Sequence, residues 1–194
     1  MEKSIEEILE KLTEEYPICE YAFGSPEDII FSDKIFQICQ RDCERYGHSW
    51  ACPPCAGTIE ENIQRIRQYD RFMVFSTLEE ADGWNKKACL AVKRDHEEIT
   101  RSFRKRLFEE LNLPLESRDE NPTPEVYVLS AGCTICQECT YPDAPCRFPA
   151  ERLMTLESHG ILIMALLDKI GMTYQFDNNT VAYFSMILFH EKKA

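Results

Sequence analysis

Apolar residues recur along the chain at two periods, one helical and one of strand type, and together they mark out a sequence of elements. Ile5, Ile8, Leu9 and Leu12 fall three or four residues apart, which predicts an amphipathic helix of about three turns. Ser4 followed by Glu7 is a capping-box pair at its start and Pro17 limits its end, so residues 1–16 are expected to form an N-terminal helix. Ser32 or Asp33 can cap a second helix carrying Ile35, Phe36, Cys39 and Cys43. An irregular stretch runs from Tyr46 to Gly57, broken by Gly47 and the pair Pro53-Pro54. Thr58 with Glu61 forms another capping box, ahead of the stripe Ile59, Ile63 and Ile66.

The middle of the chain reads strand, helix, strand. Arg71 to Thr77 is a short aromatic-rich strand pattern. A long helix is expected from about Trp84 to Leu111, with Val92, Ile99, Phe103 and Leu107 facing inwards. A connector with three prolines, Leu113 to Pro124, leads to a second buried strand from Val126 to Ser130. A crossover of this length favours a right-handed connection and parallel pairing. Pro149 can open a further helix that runs to about Ile170 and closes at Gly171. A C-terminal hairpin is expected from Thr173 to Phe176, a turn at Asp177-Asn178-Asn179, and Val181 to Phe189. The predicted fold is a mixed α/β domain spanning 1–194: a small sheet with a β-α-β crossover, a C-terminal hairpin and cysteine-rich loops.

Composition narrows the function classes. The 194 residues, 44% hydrophobic, suffice for one compact core without staples. With 34 acids against 22 bases the formal charge is −12, which disfavours nucleic acid and anionic membranes as partners. The longest apolar run, Ile161 to Leu167, is far short of a membrane span. The acidic first sixteen residues do not read as a targeting presequence, so a soluble, cytoplasmic protein is expected. No G-x-G-x-x-G or phosphate-loop pattern supports a nucleotide cofactor.

Ten cysteines change the picture, because reducing cytosol points them to metal or redox chemistry rather than to a disulfide framework. Eight fall into two tight groups of four. Cys133, Cys136, Cys139 and Cys146 have the spacing C-x2-C-x2-C-x6-C. Three cysteines at successive two-residue gaps wind the backbone around one centre, as in the opening run of bacterial ferredoxins. The six-residue last gap gives Cys146 slack to return to the same cluster, and Pro142, Pro145 and Pro149 stiffen the loop. Structural zinc prefers two separated pairs and suits this run less well. The group follows a predicted strand, which would set it beyond that strand's carboxyl end.

Cys39, Cys43, Cys52 and Cys55 form the other group, C-x3-C-x8-C-x2-C. On a helix Cys39 and Cys43 share one face, and Gly47 permits a reversal bringing Cys52 back towards them. A second cubane cluster or a four-sulfur zinc site would both close here. Cys52-Pro-Pro-Cys55 also permits a dithiol oxidoreductase, although no strand of the expected kind precedes it. His48 reads as a solvated loop histidine. Tyr46 and Trp50 read as core packing or as shields of a cluster, and Cys19 and Cys89 as buried thiols.

At these residues the chain resembles an uncharacterised family of predicted metal-binding proteins found in anaerobic bacteria and archaea. The resemblance rests on Cys39-x3-Cys43-x2-Tyr46-Gly47-x2-Trp50-x-Cys52-Pro53-Pro54, on Cys133-x2-Cys136-x2-Cys139-x6-Cys146-Arg147-x-Pro149, and on Glu157-x2-Gly160-Ile161. It implies metal binding through Cys39, Cys43, Cys52, Cys133, Cys136, Cys139 and Cys146, most plausibly as iron–sulfur clusters, with no established reaction. Cys55 is added as a candidate ligand by this sequence alone. Ser158 and His159 depart from the third block, and His159 is a candidate to approach a site or to serve structurally. The expected function is an iron–sulfur protein, with two [4Fe-4S] clusters expected, that carries electrons or performs a small reductive reaction. Its acidity would suit a redox partner with a basic docking patch. The alternative class is a zinc-stabilised interaction module without catalysis.

Overall fold

The structure is a computed structural model that describes residues 3–116, 119–174 and 177–191. Five strands form one sheet in the order β1-β2-β5-β3-β4. They are β1 (Glu20–Gly24), β2 (Arg71–Glu80), β3 (Val126–Ser130), β4 (Met154–Thr155) and β5 (Thr180–Phe189). The helices are α1 (Ile5–Thr13), α2 (Asp33–Asp42), α3 (Ile59–Ile66), α4 (Lys86–Leu111) and α5 (Ile163–Ile170). The mixed α/β class expected from the sequence is the class observed.

The capping boxes sit where the pattern put them. Ser4 and Glu7 close reciprocal bonds at the start of α1, and Thr58 and Glu61 do the same for α3. Gly171 ends α5 in the left-handed region at φ 75°, a conformation that favours glycine.

Strand alternation divides the core in two. Phe72 and Val74 of β2, Tyr127 and Leu129 of β3 and Met186 and Leu188 of β5 point to one face, where α5, Ile66 and the loop residues Ala51 and Ala56 cover them. Met73, Phe75, Val126, Val128, Ile187 and Phe189 point to the other, packed by α1 and by Phe103 and Leu107 of α4. The sheet is thus buried on both sides, which is why its strands read as near-continuous apolar runs.

Three long-range features differ from the sequence reading. β2 and β3 do run parallel across the α4 crossover, but they do not pair: β5 lies between them, antiparallel to both. Of the expected hairpin's first arm, residues 175 and 176 lie outside the described residues and Thr173 and Tyr174 belong to no strand. The second arm finds its hydrogen bonds with β2, from Arg71 opposite Phe189 to Glu80 opposite Thr180. The helix expected from Pro149 to Ile170 is broken into β4, a 3-10 turn over Glu157–His159 and α5. Gly160, at φ 71°, separates the turn from Ile161, and Leu129 and Ser130 of β3 hold β4 in parallel pairing.

Candidate metal centre

Both cysteine groups lie largely on loops that the sheet and α4 hold together. The second group leaves β3 directly, since Cys133 comes three residues after the last strand residue, Ser130. Its four cysteines, Cys133, Cys136, Cys139 and Cys146, line one pocket, and Trp50 and Ala51 of the first group's loop form part of its wall. Donors converge on the sulfurs. The Trp50 amide donates to Cys139 Sγ at 3.5 Å. Burial pushes the Cys133 thiol up, and hydrogen bonding from the Ile135 and Leu153 amides pulls it back. The Trp50 indole donates to the Ala144 carbonyl at 3.1 Å and stands edge-on to Tyr141, ring centres 4.9 Å apart. Of the two roles expected for Trp50, the geometry shows it covering the thiol pocket.

Thr134, between the first two cysteines of the run, is fixed from α4. The Glu97 carboxylate, wholly buried, accepts from both its backbone N–H and its hydroxyl at 2.6 Å. Lys93 and Arg101, one turn either side of Glu97, stand 3.9 and 3.7 Å from that carboxylate. Arg104 donates to the Ala150 carbonyl at the far end of the loop, and Arg147 to the Glu138 carbonyl at 3.0 Å. Arg152 lies beneath: its guanidinium sits 5.9 Å from the Trp50 ring centre, pairs with Asp119 at 2.9 Å and feels the charges of Cys146 and Cys55.

In the first group Cys39 lies in the last turn of α2, and Cys43 is that helix's C-cap residue, its amide bonded to the Cys39 carbonyl at 3.3 Å. Gly47 adopts φ 71° and its amide bonds to Pro53, which closes the expected reversal and returns Cys52 to the helix end. Cys39, Cys43 and Cys52 act on one another there. Burial pushes the Cys39 thiol up to about 11, helped by neighbouring Cys43, Glu157 and Cys52. Cys52 is likewise raised by burial, against a hydrogen bond from Ser49 and the cations Lys93 and Arg45. Arg45 also ties the two loops together, donating to the Cys133 carbonyl at 3.0 Å. Cys55 stands on the Arg152 side, where that guanidinium is shared with Cys146. Glu157, from the third block, faces Cys39 with its carboxyl raised by burial.

The remaining candidates separate cleanly. His48 is exposed, as expected of a solvated loop residue. His159 is buried, bonded through Nε2 to the Tyr127 hydroxyl at 2.8 Å and with Nδ1 2.9 Å from the Thr155 carbonyl, and these bonds fit the structural role. Cys19 is exposed and Cys89 half-buried, correcting the expectation that both are core thiols. The sequence reading missed Glu97, Arg152, Arg45 and Lys93. Lys93, Glu97 and Arg101 follow one another at i, i+4, a spacing that ordinarily marks a solvated salt-bridge ladder. The signal that this face is buried is the interleaved His96 and Thr100, which no solvated ladder requires.

All ten cysteines are outside disulfides. Among the described residues no three of His, Cys, Asp and Glu stand at single-ion distances. The arrangement is therefore a pocket lined by four thiols with a second three-thiol cluster beside it, rather than a closed coordination sphere. The donor set fits a thiolate-ligated metal group: soft sulfur ligands, N–H donors directed at two of the sulfurs, and guanidinium charge to offset thiolate charge.

Fold and site together define a thiol-rich α/β protein with most of its cysteines gathered on two neighbouring loops. A family model described as "Predicted metal-binding protein (DUF2284)" matches residues 24–189, and the chain belongs to that family. No curated protein and no solved structure matches the chain. No helix among the described residues is long and apolar enough to cross a membrane.

Proposed function

We propose that this predicted metal-binding protein is an iron–sulfur protein of the cytoplasm, acting in electron transfer or a small reductive reaction. Cys133, Cys136, Cys139 and Cys146 would hold one [4Fe-4S] cluster; Cys39, Cys43 and Cys52, with Cys55 or an outside ligand, would hold a second. The observation that carries this reading is the convergence of the whole C-x2-C-x2-C-x6-C run on a single pocket. The uninterrupted triple run favours a cluster over zinc, whose structural sites are usually built from separated pairs. A bound cluster supplies one-electron redox chemistry; the chain's own residues set its surroundings. Trp50 and Tyr141 exclude water, and the Trp50 amide donates to a ligand sulfur, a contact that raises reduction potential. An acidic chain of this kind would dock a redox partner through a basic patch.

Replacing Cys136 with Ser tests the assignment. The expected result is loss of about four irons per chain and a less stable protein, because metal binding and folding are linked. Unchanged iron content in that variant would sink it.

A further inference from the structure

Lys93 of α4 stands where the two cysteine groups meet. Its ammonium lies over Gly132, the residue that leads into Cys133: a Cβ added at Gly132 would come 2.6 Å from Lys93 Nζ and 2.9 Å from its Cε. That sets the charge within about 8 Å of the Cys133 Cα, successive Cα atoms being about 3.8 Å apart. The same ammonium acts on Cys52 of the first group and on Glu157, which faces Cys39. Two bonds fasten the groups' loops to each other, Arg45 donating to the Cys133 carbonyl at 3.0 Å and the Trp50 amide to Cys139 Sγ at 3.5 Å. The charge on Lys93 is loosely compensated. Its ion pair with Glu97 Oε1 is 3.9 Å long, beyond hydrogen-bond distance, and Arg101 competes for the same carboxylate at 3.7 Å. Arg152, by contrast, is paired with Asp119 at 2.9 Å. The Lys93 side chain is 21% exposed, so water screens its charge poorly.

We propose that Lys93 is the counter-charge shared by both metal groups, a positioning residue whose fixed ammonium raises the reduction potential of each. The inference rests on the iron–sulfur reading of the two cysteine groups. Each cluster takes one electron from the redox partner while the ammonium keeps its proton, so the negative charge added on reduction meets a cation already in place. Burial strengthens that attraction, and a cation set between the groups acts on both rather than on one. Glycine at 132 is what allows the close approach, since any larger residue would begin in the space that the end of Lys93 occupies.

A dithionite redox titration of the anaerobically purified full chain, followed by electron paramagnetic resonance, tests this, with iron and sulfide counted on each sample. Lys93→Met removes the charge and keeps most of the side chain's length. Both couples should fall, the ratio of reduced to oxidised centre at a fixed potential dropping about tenfold, which is about 59 mV for a one-electron couple. Lys93→Arg keeps the charge and should stay within about threefold of wild type. Lys11→Met, at an exposed lysine of α1, should match wild type. Lys93→Gln takes the place of Lys93→Met if that variant does not fold. Unmoved couples in an iron-loaded neutral variant overturn the proposal, as does a fall at one group alone or an equal fall in Lys93→Arg. Loss of iron from both neutral variants overturns it too, by making Lys93 a structural residue. Wild-type chain with about four irons would overturn the sharing and leave one cluster standing. Zinc without sulfide would overturn the iron–sulfur reading itself, and this inference with it.

Discussion

Glu97→Ala removes the carboxylate that fastens the second cysteine loop to α4, and its cost follows from the bonds that carboxylate makes. Two hydrogen bonds from Thr134, each 2.6 Å, end on one buried oxygen. Bonds to a charged acceptor contribute about 1.5–3 kcal/mol each. Their removal also strands the Thr134 amide, and leaves Lys93 and Arg101 without the charge they flank. Breaking a buried charged contact from one side costs about 3–5 kcal/mol, and we take that range. For a chain of this length it corresponds to a melting temperature lower by about 6–20 °C. Glu97→Gln keeps an acceptor for Thr134 and should lose less, roughly 1–2 kcal/mol. Because Thr134 lies between Cys133 and Cys136, Glu97→Ala should lower bound metal per chain as well as stability. The assays are thermal unfolding followed by circular dichroism and metal analysis of the purified variant. A melting temperature within about 2 °C of wild type, with unchanged metal, would refute the reasoning.

His96 gives a pH signature: wholly buried between Thr77 and Ser185, its imidazole is pushed down by burial to about 4. The unfolded imidazole takes up a proton below about pH 6.5 and the folded one only near 4, so stability present above 6.5 falls through that window by up to about 3 kcal/mol. Urea titrations at several pH values should show a shallower decline for His96→Gln than for wild type; equal slopes would contradict the assignment. Phe103→Ala, at a fully buried ring packed 5.4 Å from Phe75, should cost about 3–5 kcal/mol in the same titrations. Cys55→Ala separates the two versions of the first group, being expected to abolish its metal, since Cys55 sits where a C-x-x-C partner should. Retained metal that responds to added cyanide would show an open coordination position instead.

Local signals carried into the structure and long-range ones did not. Ser4 with Glu7 and Thr58 with Glu61 could be read as helix starts because a capping box is complete within four residues. The return of Cys52 to Cys39 and Cys43 was legible in Gly47, since a left-handed turn there leaves the chain few other courses. The insertion of β5 between β2 and β3 was not legible. Val181 to Phe189 reads as a strand by its own pattern, but both of its partners are distant in sequence, and pattern alone cannot select them from the other strands. The helix assigned from Pro149 failed for a related reason. Met154 and Thr155 pair with β3 over only two residues, too short a run to show a strand period. At the site, the thiols were legible and their supports were not. Glu97 reads as a surface acid until Thr134 is seen against it, and Arg152 reads as a helix-face cation until the thiol pocket it lines is known.

The central claim is that the cysteine groups hold iron–sulfur clusters. The most direct measurement is an iron, zinc and acid-labile sulfide count on anaerobically purified wild-type chain, with electron paramagnetic resonance of the reduced sample. The account predicts brown protein with iron and sulfide in equal amounts, about four or about eight of each per chain, and a signal from a reduced cubane. Colourless protein carrying zinc at both groups, without sulfide, would contradict it, zinc being redox-silent.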